Sequence, residues 1–138
     1  FFHLNKVLAK LMNNYPAYEV QVEEIHHTQK LDAPSGTAMT IAEGIIEEID
    51  GKKEWVNELE GTPISEKLRN DQLLIESLRI ENVPGTHTVV YSSEVDDIEI
   101  KHTAHSRAGF ALGAVVAAEW LQNKKGFYSI ADIFNFKD

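Results

Sequence analysis

Apolar residues recur at helical spacing from the first position of this chain: Phe1, Leu4, Val7, Leu8, Leu11 and Met12. That period predicts an amphipathic helix over 1–14, ended by Asn13-Asn14 and Pro16. The period then drops to two. Tyr18, Val20 and Val22 fall on one face and Glu19, Gln21 and Glu23 on the other, which predicts a strand over 17–27 whose alternation slips at Glu24-Ile25. A loop over 28–35 leads into a second helix, roughly 36–49. Ser35 is its N-cap, Ala38, Ile41, Ala42, Ile45, Ile46 and Ile49 form its buried stripe, and Gly51 is its expected C′ residue.

Residues 51–72 are polar and carry Gly51, Gly61 and Pro63, so they are expected to form a long excursion within the domain. Strand pattern resumes over 73–81. A Val83-Pro84-Gly85 turn follows, and 86–92 and 97–104 form a hairpin around Ser93–Asp96. A strongly apolar helix is expected over 107–123, stopped by Gly126, and a short one around 129–134. The sum is an α+β domain: about four strands in a mixed, mostly antiparallel sheet, with helices on one face. The other face would be covered by a partner subunit.

The 138 residues suit one domain able to bury a core without metal or disulfide staples. With no cysteine, thiol chemistry and thiolate metal sites are excluded, and the chain is compatible with a cytoplasmic location. A net charge of −9 argues against nucleic acid and against an anionic membrane surface, so an anionic ligand needs a local positive pocket. No apolar run approaches the ~18 residues of a membrane span. The start on Phe1-Phe2-His3-Leu4, already in helical phase, reads as the middle of a helix and suggests a fragment of a longer protein.

The chemistry concentrates in His26, His27 and Lys30 and the turn Pro34-Ser35-Gly36-Thr37 that opens the second helix. Histidine exchanges protons near neutrality, and lysine is a fixed cation. A Ser-capped helix start with a following glycine presents free N–H groups to an anion. Together they suit a small multiply charged anion that must receive a proton. Arg107, at the start of the third helix, opposes the helix dipole and makes more sense beside an anion. His102 and His105 with His26 and His27 could suggest zinc. However, 102 and 105 straddle a strand end and no His-Glu-x-x-His pattern exists, so no metal is expected. Neither a P-loop nor a Gly-x-Gly-x-x-Gly fingerprint is present.

The run from Glu24 to Ala38, Glu-Ile-His-His-Thr-Gln-Lys-Leu-Asp-Ala-Pro-Ser-Gly-Thr-Ala, closely resembles the signature segment of the dihydrodipicolinate (4-hydroxy-tetrahydrodipicolinate) reductase family. Val83-Pro84-Gly85-Thr86-His87, the run His102 to Arg107, and Phe110 to Val115 leading to Trp120-Leu121 resemble it too. The resemblance covers nearly the whole chain, as the C-terminal domain. It implies reduction of a cyclic tetrahydrodipicolinate precursor by NADH or NADPH in diaminopimelate and lysine synthesis. It also implies a nucleotide-binding Rossmann domain outside this chain, and a domain here that holds the dicarboxylate and builds a homotetramer through its sheet. The resemblance makes His26 and Lys30 the acid/base pair, and His27, Lys30, Ser35, Gly36, Thr37 and Arg107 the substrate contacts. No cofactor is expected for this chain alone. The rival readings are a non-catalytic ligand-binding or assembly module on the same scaffold, and a histidine-based metalloprotein.

Overall fold

A computed structural model describes residues 1–62 and 67–134. The chain divides into two compact units, Phe1–Thr103 and the segment from Ala104 onward.

The first unit is a five-stranded mixed sheet carrying two helices. In chain order it runs α1 (Phe2–Met12), β1 (Glu19–His26), α2 (Gly36–Glu48), β2 (Glu54–Leu59), β3 (Gln72–Arg79), β4 (Thr86–Ser92) and β5 (Asp97–Thr103). The strands lie in the order β2-β3-β1-β4-β5. β1 pairs parallel with β3, and β3 parallel with β2, while β1–β4 and β4–β5 are antiparallel. The α+β class and the mixed sheet are as expected, but the strands number five rather than about four and only two of the four pairings are antiparallel. The fifth, β2, falls inside the stretch read as an excursion; Pro63, also cited for that reading, lies outside the described residues. β2 is an edge strand with a single neighbour, and its Trp55-Val56 core is diluted by Glu54, Asn57 and Glu58, which blurs a period-two signal.

Strand alternation places Val20, Val22, Glu24 and His26 of β1 on the buried face. Val22 pairs with Ile75 and Val89, and Val20 with Tyr91. α2 covers this face with Ala38, Ile41, Ala42 and Ile45, all fully buried. Each of the two isoleucine side chains contributes about 1.5–3 kcal/mol by leaving water. α1 packs on α2 through Ala9 and Met12, and through Asn5, whose Nδ2 donates to the Ile41 carbonyl at 3.0 Å. The helices approach closely at Gly44, where a Cβ would stand 3.2 Å from Lys6 Cγ. α2 does not end on a left-handed glycine: its last residue is Glu48, and the cap Ile49 is already extended. The predicted C′ role of Gly51 is thereby corrected.

The second unit begins with α3 (Ala108–Trp120), shorter than the expected 107–123 and without a buried residue. The chain reverses through Asn123 at φ +64°. Tyr128 stacks edge-on against Trp120, and Lys124 lies over the same indole. α4 (Ile130–Phe134) follows, its first turn held by Asp132 accepting from the Ser129 amide and hydroxyl.

Candidate functional site

The register of three strands builds the site at the carboxyl end of β1. Glu24 stands opposite Ser77 of β3 and His87 of β4, and His26 stands opposite Arg79. β1 thus keeps strict alternation through the point where the sequence appeared to slip: Glu24 points inward and is fully buried.

A buried carboxylate is tolerable only if its charge is met. Glu24 Oε1 accepts from the Ser77 hydroxyl (2.8 Å), the Ser35 amide (3.1 Å) and Arg79 Nη2 (3.2 Å). Its Oε2 lies 2.7 Å from His26 Nδ1, an ion-pair contact, and neither atom has a well-formed hydrogen bond to any other group. Burial alone would raise the Glu24 pKa. The hydrogen bonds from Ser35 and Ser77, with the charges of His26 and Arg79, overcome that and hold it below the usual glutamate value. Arg79 also donates to the carbonyls of Asp32 and Leu78, tying the loop after β1 to β3.

His26 is nearly buried. Burial lowers its pKa, Glu24 opposes that, and Lys30 and Arg79 lower it again, leaving it below the ordinary histidine value. His87 meets its ring edge-on at 5.1 Å, and His87 Nε2 lies 3.2 Å from the Ser35 hydroxyl. Desolvation, followed by the nearby His26, pushes His87 down to about 4.

Ser35 is the N-cap of α2, as predicted. Its hydroxyl accepts from the Ala38 amide at 3.2 Å and its carbonyl from the Met39 amide at 3.0 Å. The peptide Ala33–Pro34 before it is cis. Gly36 and Thr37 form the first turn, whose amides have no helical acceptor, and a Cβ at Gly36 would meet nothing within 4 Å. Lys30 is drawn back onto the corner by a turn in which its amide donates to the His27 carbonyl at 3.0 Å. Its ammonium is closed onto both oxygens of Asp32 at 2.8 and 2.9 Å.

The structure therefore brings His26, His27, Lys30, Ser35, Gly36 and Thr37 together in one unit. Arg107 and His105 belong to the second unit, with Arg107 directly before α3. His102 sits on β5 opposite His87. Glu24, Arg79, Ser77 and His87 were not singled out from the sequence; a strict period-two reading of β1 would have flagged the inward glutamate. One ligand atom each of Glu24, His26 and His87 lies within 4.8 Å of the others. Glu24 Oε1 already accepts from Ser35, Ser77 and Arg79, while Oε2 is turned to His26 Nδ1.

Cavities of about 350 and 310 Å³ lie at the other end of β1, around Glu19 and Lys52. That lysine already donates to Glu19 and to the Asn70 and Gln72 carbonyls, which uses all three of its protons.

His87 makes stability depend on pH. It is held near 4 in the fold, against about 6.5 when unfolded. Between those values the unfolded chain binds more protons, so stability is fully present above about 6.5 and drains away as pH falls towards 4. Denaturation midpoints measured across that window are expected to fall on acidification, with a shallower slope in His87→Gln. Parallel slopes would show that His87 is not the group responsible.

A family model described as "Dihydrodipicolinate reductase, C-terminus" matches residues 1–134. The chain is 50% identical over 135 residues to a 4-hydroxy-tetrahydrodipicolinate reductase of Christiangramia forsetii, covering 98% of this chain and 53% of that protein. It is 41% identical over 134 residues to the like-named protein of Methanosarcina barkeri, covering 96% and 48%. Among solved structures, a dipicolinate-bound dihydrodipicolinate reductase from Paenisporosarcina sp. TG-14 superposes with a TM-score of 0.62 at 26% identity, over 96% of this chain and 52% of that one. The chain spans about half the length of the curated relatives it matches.

Proposed function

We propose a function from one premise: the chain belongs to the dihydrodipicolinate reductase family and corresponds to its C-terminal part. It is the half of a 4-hydroxy-tetrahydrodipicolinate reductase that holds the dicarboxylate and provides the proton, in the diaminopimelate route to lysine. The observation that carries this is the junction of a nearly buried His26, backed at 2.7 Å by Glu24, with Lys30 and the capped turn Ser35-Gly36-Thr37. The bound dipicolinate of the Paenisporosarcina relative is a ring with two carboxylates, the ligand such a corner suits.

In this reading Lys30 and the amides of Gly36 and Thr37 hold the carboxylates by charge-assisted hydrogen bonds, with His27 lining the corner. His26 carries the proton that balances reduction of the ring. A purely assembling module would not need a buried carboxylate–imidazole pair, which disfavours that rival.

The described residues do not fit a dinucleotide. The strand-to-helix turn after β1 is a Ser-capped Pro-Ser-Gly-Thr turn without the glycine spacing that lets a backbone approach a pyrophosphate, and no Gly-x-Gly-x-x-Gly occurs. We therefore assign NADH or NADPH to the remainder of a full-length protein. Assembly as a homotetramer would use the sheet face away from α2, where Ile25, Leu74, Leu78 and Val90 are half-buried.

The full-length protein is expected to oxidise NADPH or NADH when 4-hydroxy-tetrahydrodipicolinate is generated in the assay, and dipicolinate is expected to inhibit it. No turnover and no dipicolinate effect would overturn the proposal. Calorimetric titration of residues 1–138 with NADPH should give no heat; micromolar affinity would put the nucleotide site in this chain.

A further inference from the structure

We infer that Glu24 is a positioning residue, whose carboxylate fixes the His26 imidazole and the anion-holding turn to each other and leaves Nε2 as the nitrogen that exchanges the proton. This rests on the reading of His26 as the proton carrier. Glu24 touches no ligand-facing surface, being fully buried, yet it joins three segments: His26 on its own strand, the Ser35 amide before α2, and Ser77 and Arg79 of β3. If it served only to neutralise Arg79, neither the Ser35 amide nor the histidine would need to converge on it.

The chemistry follows from which atom faces which. An ionised carboxylate 2.7 Å from Nδ1 requires a proton on Nδ1. The neutral ring then has its lone pair on Nε2, and the second proton is gained and lost there. Gly85 guards that atom. A Cβ at position 85 would stand 3.1 Å from Nε2 and 3.4 Å from Cδ2, so the glycine of the Val83-Pro84-Gly85 turn keeps the nitrogen uncovered.

The charge balance points the same way. Lys30 from the loop and Arg79 from β3 disfavour a second proton on His26, and His87 of β4 stands against it, with His102 of β5 facing His87 in turn. Glu24 is the anion that opposes them.

The test uses the full-length protein and two measurements. Nitrogen NMR of histidine-labelled wild-type protein should show neutral His26 as the Nδ1–H tautomer; an Nε2–H tautomer would overturn the inference, and this arm needs no variant to fold. In Glu24→Gln the pKa of His26 should drop by about one unit or more, because an opposite charge at this range shifts a group by about 1–3 units. The basic limb of the kcat profile should move to lower pH by the same amount, with kcat falling more than KM changes, and Glu24→Asp should restore the limb. A limb at the wild-type position in Glu24→Gln, with His26→Gln inactive, would overturn the role of Glu24 and leave the parent reading standing. An active His26→Gln would overturn both.

Discussion

His26→Gln in the full-length protein is expected to lower kcat by about 10²–10⁴-fold, the usual contribution of a positioned general acid. Glutamine keeps a polar, uncharged side chain of similar reach, so it removes the exchangeable proton with little change in volume. The loss should fall on kcat, because the carboxylate-holding groups, Lys30 and the first turn of α2, are separate from the imidazole. The variant should also lose the basic limb of its pH profile, since the imidazole read as the proton carrier is gone. His87, held near 4 by burial and by its neighbours, stays neutral at the pH where turnover would be measured and cannot substitute. A kcat within a few-fold of wild type would remove His26 from the chemistry, and with it the central element of the proposed function.

The periodicity of the chain made most elements of the first unit legible, and their chemistry follows from what that periodicity hides. α2 was readable because its apolar stripe, its Ser35 cap and the preceding proline all agree. The β4–β5 hairpin was readable because Ser93–Asp96 separates two alternating runs. β2 was not, since an edge strand has one partner and can carry glutamate and asparagine without penalty. The parallel pairing of β1 with β3 was equally hidden, because strand order is set by the crossover through α2 rather than by any local pattern.

The most instructive miss is Glu24. A glutamate in a strand reads as a break in alternation because burial of an unpaired charge is so costly. The partners that make it acceptable, Ser77 and Arg79, lie 53 and 55 residues away in sequence. The histidines and the Ser-Gly-Thr turn were visible as a local cluster; the network that orients them is non-local. α1 shows the reverse error available to such reasoning. Its most regular apolar positions, Leu4, Val7 and Leu11, are exposed, while Asn5, Ala9 and Met12 face α2.

Lys30→Met should separate binding from proton transfer. The Lys30 ammonium is gripped by both oxygens of Asp32, and that bond is the main reason the Asp32 carboxyl stays below its usual range. Asp32 is the more exposed of the two, so its hold on Lys30 is weakened by water, and a ligand carboxylate arriving at the corner can take over one of the ammonium's protons. A hydrogen bond to a charged group contributes about 1.5–3 kcal/mol, which corresponds to roughly 10–150-fold. Methionine retains the aliphatic stem and deletes only the charge, so kcat/KM should fall by that factor, mainly through KM, and dipicolinate should lose inhibitory potency in parallel. Raising the ionic strength should weaken binding more in wild type than in the variant, because the screened attraction is the one removed. If kcat collapses instead while KM holds, lysine rather than His26 is delivering the proton. The basic limb that survives in Lys30→Met, or vanishes with it, identifies which of the two groups it belongs to.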